Sequence, residues 1–134
     1  MGLEFISHKN LTIAIIIRSD FRFNDDVNFI TQDDDVLQLG YMKRSKNHKV
    51  KKHFHNTFDR KVSKTNEVIF LKKGSFKINF FTENNEFIKT LQVNENDILL
   101  IQNGAHELEM IEDCEFYEVK NGPYFINKDK SFIE

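Results

Sequence analysis

Apolar and polar residues alternate along this chain in short runs, and the window from Ile78 to Leu100 lacks the three-and-four spacing of a helix face. The pattern predicts strands. Leu11–Ile17 (LTIAIII) reads as a buried strand, and Leu37–Met42 (LQLGYM) and Val50–His55 as two more. Glu67–Leu71 (EVIFL) leads through Lys72-Lys73-Gly74 into Ser75–Phe81, where Phe76, Ile78 and Phe80 share one face and Lys77 and Asn79 take the other. Phe87–Val93, Ile98–Ile101, Glu107–Ile111 and Cys114–Val119 complete the set. Turns are expected at Gly74, where a tight corner favours positive φ, at Glu83–Glu86, at Asn94–Asp97 and at Asn103-Gly104. Gly122-Pro123 ends the sheet, and a tail with Phe125, Ile126, Phe132 and Ile133 needs something to dock on, such as a second subunit. Several short strands separated by polar turns predict an all-β sandwich or barrel.

Composition narrows this picture. With 134 residues, 40% of them hydrophobic and 30% charged, the chain reads as one globular domain. A net charge of −2 argues against a general nucleic-acid binder. Cys114 is the single cysteine, which fits a reducing compartment. The longest apolar run is far short of the roughly 20 residues of a membrane helix. The opening MGLEFISHKN lacks clear signal-peptide features, so the expected location is cytoplasmic, with no membrane partner.

The candidate chemistry lies in four residues. In a strand, His53 and His55 project to one side with Phe54 on the other. Glu67 shares its face with Ile69 and Leu71, and a carboxylate there is costly unless it is paired or binds a cation. His106 likewise shares a face with Leu108 and Met110, while Glu107 and Glu109 take the other. Three imidazoles and a carboxylate suit one divalent transition metal with positions left open, zinc first, with iron, manganese or nickel as further options.

These residues resemble the two motifs of the cupin superfamily. The first is His-x-His followed by Glu, six residues and Gly; here Glu67 is followed by VIFLKK and then Gly74. The second, Pro-x-Gly followed closely by His, corresponds to Gln102-Asn103-Gly104-Ala105-His106. The segment DILLIQNGAHELEMIEDCEFYEVKNGPY is similar to small single-domain cupins of bacterial surface-polysaccharide gene clusters, and the likeness spans roughly residues 29 to 125. This chain departs from the motifs in four ways. Eleven residues separate His55 from Glu67, Gln102 stands in the place of Pro, His106 comes one residue early, and the usual Asn after the last His is absent. The long gap, NTFDRKVSKTN, is expected to form an extra hairpin near the barrel mouth.

The resemblance implies a cupin-type jelly-roll β-barrel as a single domain over 1–134. Its barrel core would be about 29–120, with the N-terminal strand and C-terminal tail packed on it. It also implies a homodimer, metal ligands at His53, His55, Glu67 and His106, and a sugar or sugar-nucleotide substrate undergoing metal-assisted isomerisation or epimerisation. A ferrous oxygenase is a second enzymatic option. No residue stands out as a general base, and a small-ligand binding or sensing module without turnover is the alternative from another class.

Other residues carry weaker signals. Gln38 and Met42, on one strand face, together with Tyr41, Arg60 and Tyr124, are candidate pocket residues, although packing aromatics and a surface arginine are the simpler readings. Lys43, Arg44, Lys46, His48, Lys49, Lys51 and Lys52 could attract an anionic substrate, but a lysine-rich edge strand that discourages aggregation accounts for them more simply. Asp33-Asp34-Asp35 reads as a solvated turn and Cys114 as a buried, inert thiol. His8 and His48 lack partners at ligand spacing. A Gly-rich phosphate loop, a Gly-x-Ser-x-Gly elbow and a paired-cysteine zinc motif are all absent from the sequence.

Overall fold

A computed structural model of the protein describes residues 2–134. In chain order its strands are β1 (Leu3–His8), β2 (Leu11–Ile17), β3 (Val27–Phe29), β4 (Gly40–Met42), β5 (Glu67–Lys73), β6 (Phe76–Phe81), β7 (Phe87–Val93), β8 (Ile98–Ile101), β9 (Ala105–Met110) and β10 (Glu115–Lys120). Every pairing is antiparallel, and no helix occurs among the described residues. The chain falls into two compact units, one formed by Met1–Arg22 with Thr65–Glu134 and the other by Phe23–Lys64.

The first unit holds a five-stranded sheet, β1-β2-β8-β5-β10, and a three-stranded sheet, β7-β6-β9. Register aligns Ile6, Ala14, Ile101, Glu67 and Lys120 in one row across the larger sheet, and Ile16, Leu99, Ile69 and Glu118 in the next. The apolar members of those rows pack with Phe76, Ile78, Phe80, Leu91 and Val93 of the smaller sheet in one core. Period-two alternation is the cause, since every second residue of β5, β6 and the end of β7 is buried. β2 is an exception. Ile13, Ala14, Ile15 and Ile16 are all buried, and Ile15 pairs with Leu100 on the sheet's other face. The β1–β2 hairpin closes through Lys9 and Asn10, both with positive φ, at 50° and 65°.

The chain crosses between the two sheets at Gly74 and again between β9 and β10, and the two crossings touch. Gly74 has φ +94°, and a Cβ built on it would lie 2.2 Å from the Asp113 carbonyl oxygen. The Ser75 carbonyl accepts hydrogen bonds from the amides of Ile111 at 3.0 Å and Glu112 at 3.2 Å. The Ser75 hydroxyl donates to the Glu112 carboxylate at 2.6 Å. At the start of β8, buried Asp97 accepts from the Arg18 guanidinium at 2.8 Å and from the amides of Ser19 and Asn94, each at 2.9 Å.

The second unit contains the β3–β4 ladder, in which Phe29 faces Gly40. A Cβ on Gly40 would fall within 2.6 Å of the Phe29 ring, so the glycine makes room for that aromatic. Two sequence expectations fail here. Leu37–Met42 shortens to Gly40–Met42, and Val50–His55 is not a strand. No strand lies between Met42 and Glu67, so neither the extra hairpin in NTFDRKVSKTN nor the lysine-rich edge strand exists. Residues 42–65 are all exposed, and a strand with no ladder partner and no covered apolar stripe has little to hold it. β1 and β3 were not anticipated from the sequence. The N-terminal strands also do more than pack on a barrel: β2 is an interior strand of the larger sheet and supplies Ile13, Ala14 and Ile16 to the core.

Candidate functional site

β5 starts with Glu67, and the strand's alternation points its side chain to the face of Ile69 and Leu71, leaving it 9% exposed. β9 brings His106 opposite Phe80, whose own side chain is fully buried. The two candidate residues meet, with His106 Nε2 2.9 Å from Glu67 Oε1. Burial alone would raise the Glu67 pKa. Hydrogen bonds from His106 and Glu118, with the charges of His106 and Lys120, outweigh it and hold the carboxyl below its ordinary value.

β10 adds residues that sequence reasoning missed. Register puts Glu118 beside Ile69 and Lys120 beside Glu67 on this same face. Glu118 is hydrogen-bonded to Glu67, and its pKa is raised, first by desolvation and then by that bond and the neighbouring negative charge. Glu67 and Glu118 therefore form an unequal carboxyl pair, one kept ionised and the other inclined to hold a proton. Lys120 Nζ lies 3.7 Å from Glu118 and 3.4 Å from Asp129 Oδ2, which brings one residue of the C-terminal tail to the cluster. The sequence signal for β10 was misleading. Tyr117 and Val119 look like an inward apolar face, whereas register makes the Phe116, Glu118 and Lys120 face the inner one.

Gln102 follows Ile101, the register partner of Glu67. It is buried, and its Nε2 has no hydrogen-bond partner among the described residues. A buried amide without a partner costs free energy. A cavity of about 490 Å³ lies at the other end of β8, lined by Arg18, Ser19, Asp20, Asn94 and Asp97 with Gly2. Arg18 and Asp97 are already paired there, so its lining is committed to structure.

His53 and His55 belong to the second unit. Both are exposed and lie outside any strand, yet their rings stand edge to face at 5.4 Å. His53 Nδ1 hydrogen-bonds the Lys51 carbonyl at 2.8 Å, which leaves Nε2 as the ring nitrogen outside that contact. The remaining candidates are placed as follows. Gln38 lies outside any strand, where it donates to the carbonyls of Gln32 and Asp35 and bonds Thr31, so it stabilises its own loop. The Tyr41 ring stacks on Phe23 at 4.5 Å. Met42 and Tyr124 are exposed, and Arg60 sits 3.9 Å over the Phe58 ring. Asp35 closes the acidic turn by accepting from the Gln32 amide. The Cys114 thiol donates to the Ser75 and Glu112 carbonyls.

No protein-family model, curated protein or solved structure matches this chain. Its chemistry must therefore be argued from its own side chains. Among the described residues no group of three or more His, Cys, Asp and Glu is arranged to hold a metal ion. What the first unit does assemble is an imidazole on a buried carboxylate, with a second carboxyl and an ammonium beside them.

Proposed function

We propose that the protein is a cytoplasmic cupin-type jelly-roll barrel that binds a small polar molecule, a sugar or sugar nucleotide, and isomerises it by moving a proton at Glu67 and His106. One observation carries this reading: the 2.9 Å contact between His106 Nε2 on β9 and the Glu67 carboxylate on β5, which joins the two sheets beside a core built mainly from Ile, Leu and Phe. A buried carboxylate 2.9 Å from the imidazole fixes its orientation, which suits the ring to take a proton from a carbon or hydroxyl group and return it. Glu118, whose pKa is raised by burial and by the neighbouring Glu67, is a second carboxyl placed to pass a proton to a developing enolate oxygen.

A divalent transition metal, zinc first, fits the donor chemistry of Glu67 and His106. When bound, such an ion would supply a Lewis acid that polarises a carbonyl. Glu67 and His106 would then hold the ion instead of moving the proton, and Glu118 beside them would carry the proton.

The experiment is metal analysis followed by solvent-exchange NMR. Protein purified without a histidine tag is assayed for bound metal, and candidate sugar nucleotides bearing a carbonyl group are incubated with it in D2O. Deuterium entering the ligand at carbon, and lost in His106→Asn and Glu67→Gln variants that still fold, is the expected result. A ligand that binds without exchange would replace catalysis with a binding role. Full exchange in both variants would move the chemistry elsewhere.

A further inference from the structure

Charge is divided unevenly along this chain. Residues 43–64 hold nine of the 19 lysines and arginines but only one of the 21 acidic residues, Asp59. The segment therefore carries +8 and the rest of the chain −10, out of a total of −2. Every residue of the segment is exposed, including Val50, Phe54, Phe58 and Val62, with Phe54 at 83%. It contains no strand, so most of its backbone is outside any ladder, although the Lys43 amide donates to the Asp26 carbonyl, the His48 amide to the Ser45 carbonyl, and the Lys51 carbonyl bonds His53.

A matching surface exists on the first unit. β9 is the outermost strand of its sheet and β10 of the other, so both present an edge without a strand neighbour. From Glu107 to Glu118 there are six carboxylates and no lysine or arginine. Glu107, Glu109, Glu112, Asp113 and Glu115 are exposed, and so are Met110 and Ile111 beside them.

We propose that residues 43–64 of one copy add as a strand to the free edge of β9 in a second copy, so that two copies exchange segments about a twofold axis. Main-chain hydrogen bonds to an open edge supply affinity in such strand addition, and flanking side chains set its specificity. Here the lysines meet Glu109 and Asp113, and the apolar residues of the segment meet Met110 and Ile111. A polyanion such as a nucleic acid would satisfy the charge but leave Val50 and Val62 uncovered. The second copy answers both features, and in a twofold exchange each copy both donates its segment and receives the other's, which closes the pair. This inference does not depend on the chemistry proposed for Glu67 and His106.

The test is molar mass by light scattering at low salt, with circular dichroism and a thermal melt as checks on folding. The wild type is expected to be a dimer. Lys49→Glu/Lys51→Glu/Lys52→Glu and, separately, Glu109→Lys/Asp113→Lys should each weaken it about tenfold or more, and the five changes combined should restore it. A monomeric wild type would overturn the proposal, and protection of its segment from trypsin would show docking on its own chain. A monomeric wild type retarded by an oligonucleotide would assign the segment to nucleic acid. Dimers untouched by either reversal, or not restored by the combination, would also overturn it.

Discussion

Gly74→Ala tests whether the two crossings between the sheets hold each other in place. Alanine at φ +94° enters the left-handed region, at a cost of about 1–2 kcal/mol. Its methyl group would also stand 2.2 Å from the Asp113 carbonyl oxygen, where an ordinary carbon–oxygen contact needs roughly 3.3 Å. The obstacle is backbone, so about 1 Å must come from moving the β9–β10 turn. That movement strains the two amide bonds to the Ser75 carbonyl, each contributing about 0.5–1.5 kcal/mol. The expected total is about 2–5 kcal/mol, a large share of the roughly 5–15 kcal/mol that stabilises a domain. At about 4 °C per kcal/mol, the melting temperature should fall by roughly 8–20 °C, read by calorimetry or circular dichroism. Gly74→Asn separates the two causes. Asparagine tolerates positive φ but carries the same Cβ, so the contact predicts a loss nearly as large as for alanine. A loss below about 1 kcal/mol in both variants would show that the turn gives way freely and would refute the reasoning.

Two further outcomes follow from burial and charge. Ile78→Asp places a carboxylate at a fully buried position in the centre of the three-stranded sheet and should prevent folding; a soluble variant with a cooperative urea transition would refute the inner-face assignment. Glu118→Gln should stabilise the protein near pH 7. The folded Glu118 pKa lies above the ordinary 4.5, so its favourable contribution is present below that value and is lost as pH rises through the folded pKa. Glutamine removes the resulting repulsion with Glu67, so the gain in melting temperature should be largest at neutral pH and shrink as pH falls towards 4.5; a gain that grows on acidification would reverse the assignment of the pair.

Much of the first unit was legible in the sequence because its strands alternate against a single core. β2, β7 and β8 occupy the residues expected of them, and Asn85, Asn96 and Gly104 take positive φ at the expected turns. The inward positions of Glu67 and His106 followed from their apolar neighbours at spacing two, and register agrees. β1 (LEFISH) was missed because it is short and carries polar residues on both faces. Residues 43–64 were misread because lysines and histidines at alternate positions imitate strand periodicity without an apolar stripe to bury. Glu118 escaped notice because an acidic residue between Tyr117 and Val119 looks solvated until a partner strand fixes which side is inside.

That dependence on a partner is sharpest in β2. Hydrophobic patterning ordinarily resists slippage, because a shift of one residue would carry polar side chains into the core. The run IAIII offers no such penalty, since each isoleucine that leaves is replaced by a residue equally at home. The alignment of β2, and of every strand paired in turn beyond it, must therefore come from elsewhere. Lys9 and Asn10 start it: a two-residue loop with both φ angles positive sets His8 against Leu11 and Ser7 against Thr12, and a one-residue shift before Ser7 then sets Ile6 against Ala14. Two exposed, polar residues thereby index a strand that cannot index itself, and lengthening that loop by one residue would leave the centre of the larger sheet with competing alignments of similar energy.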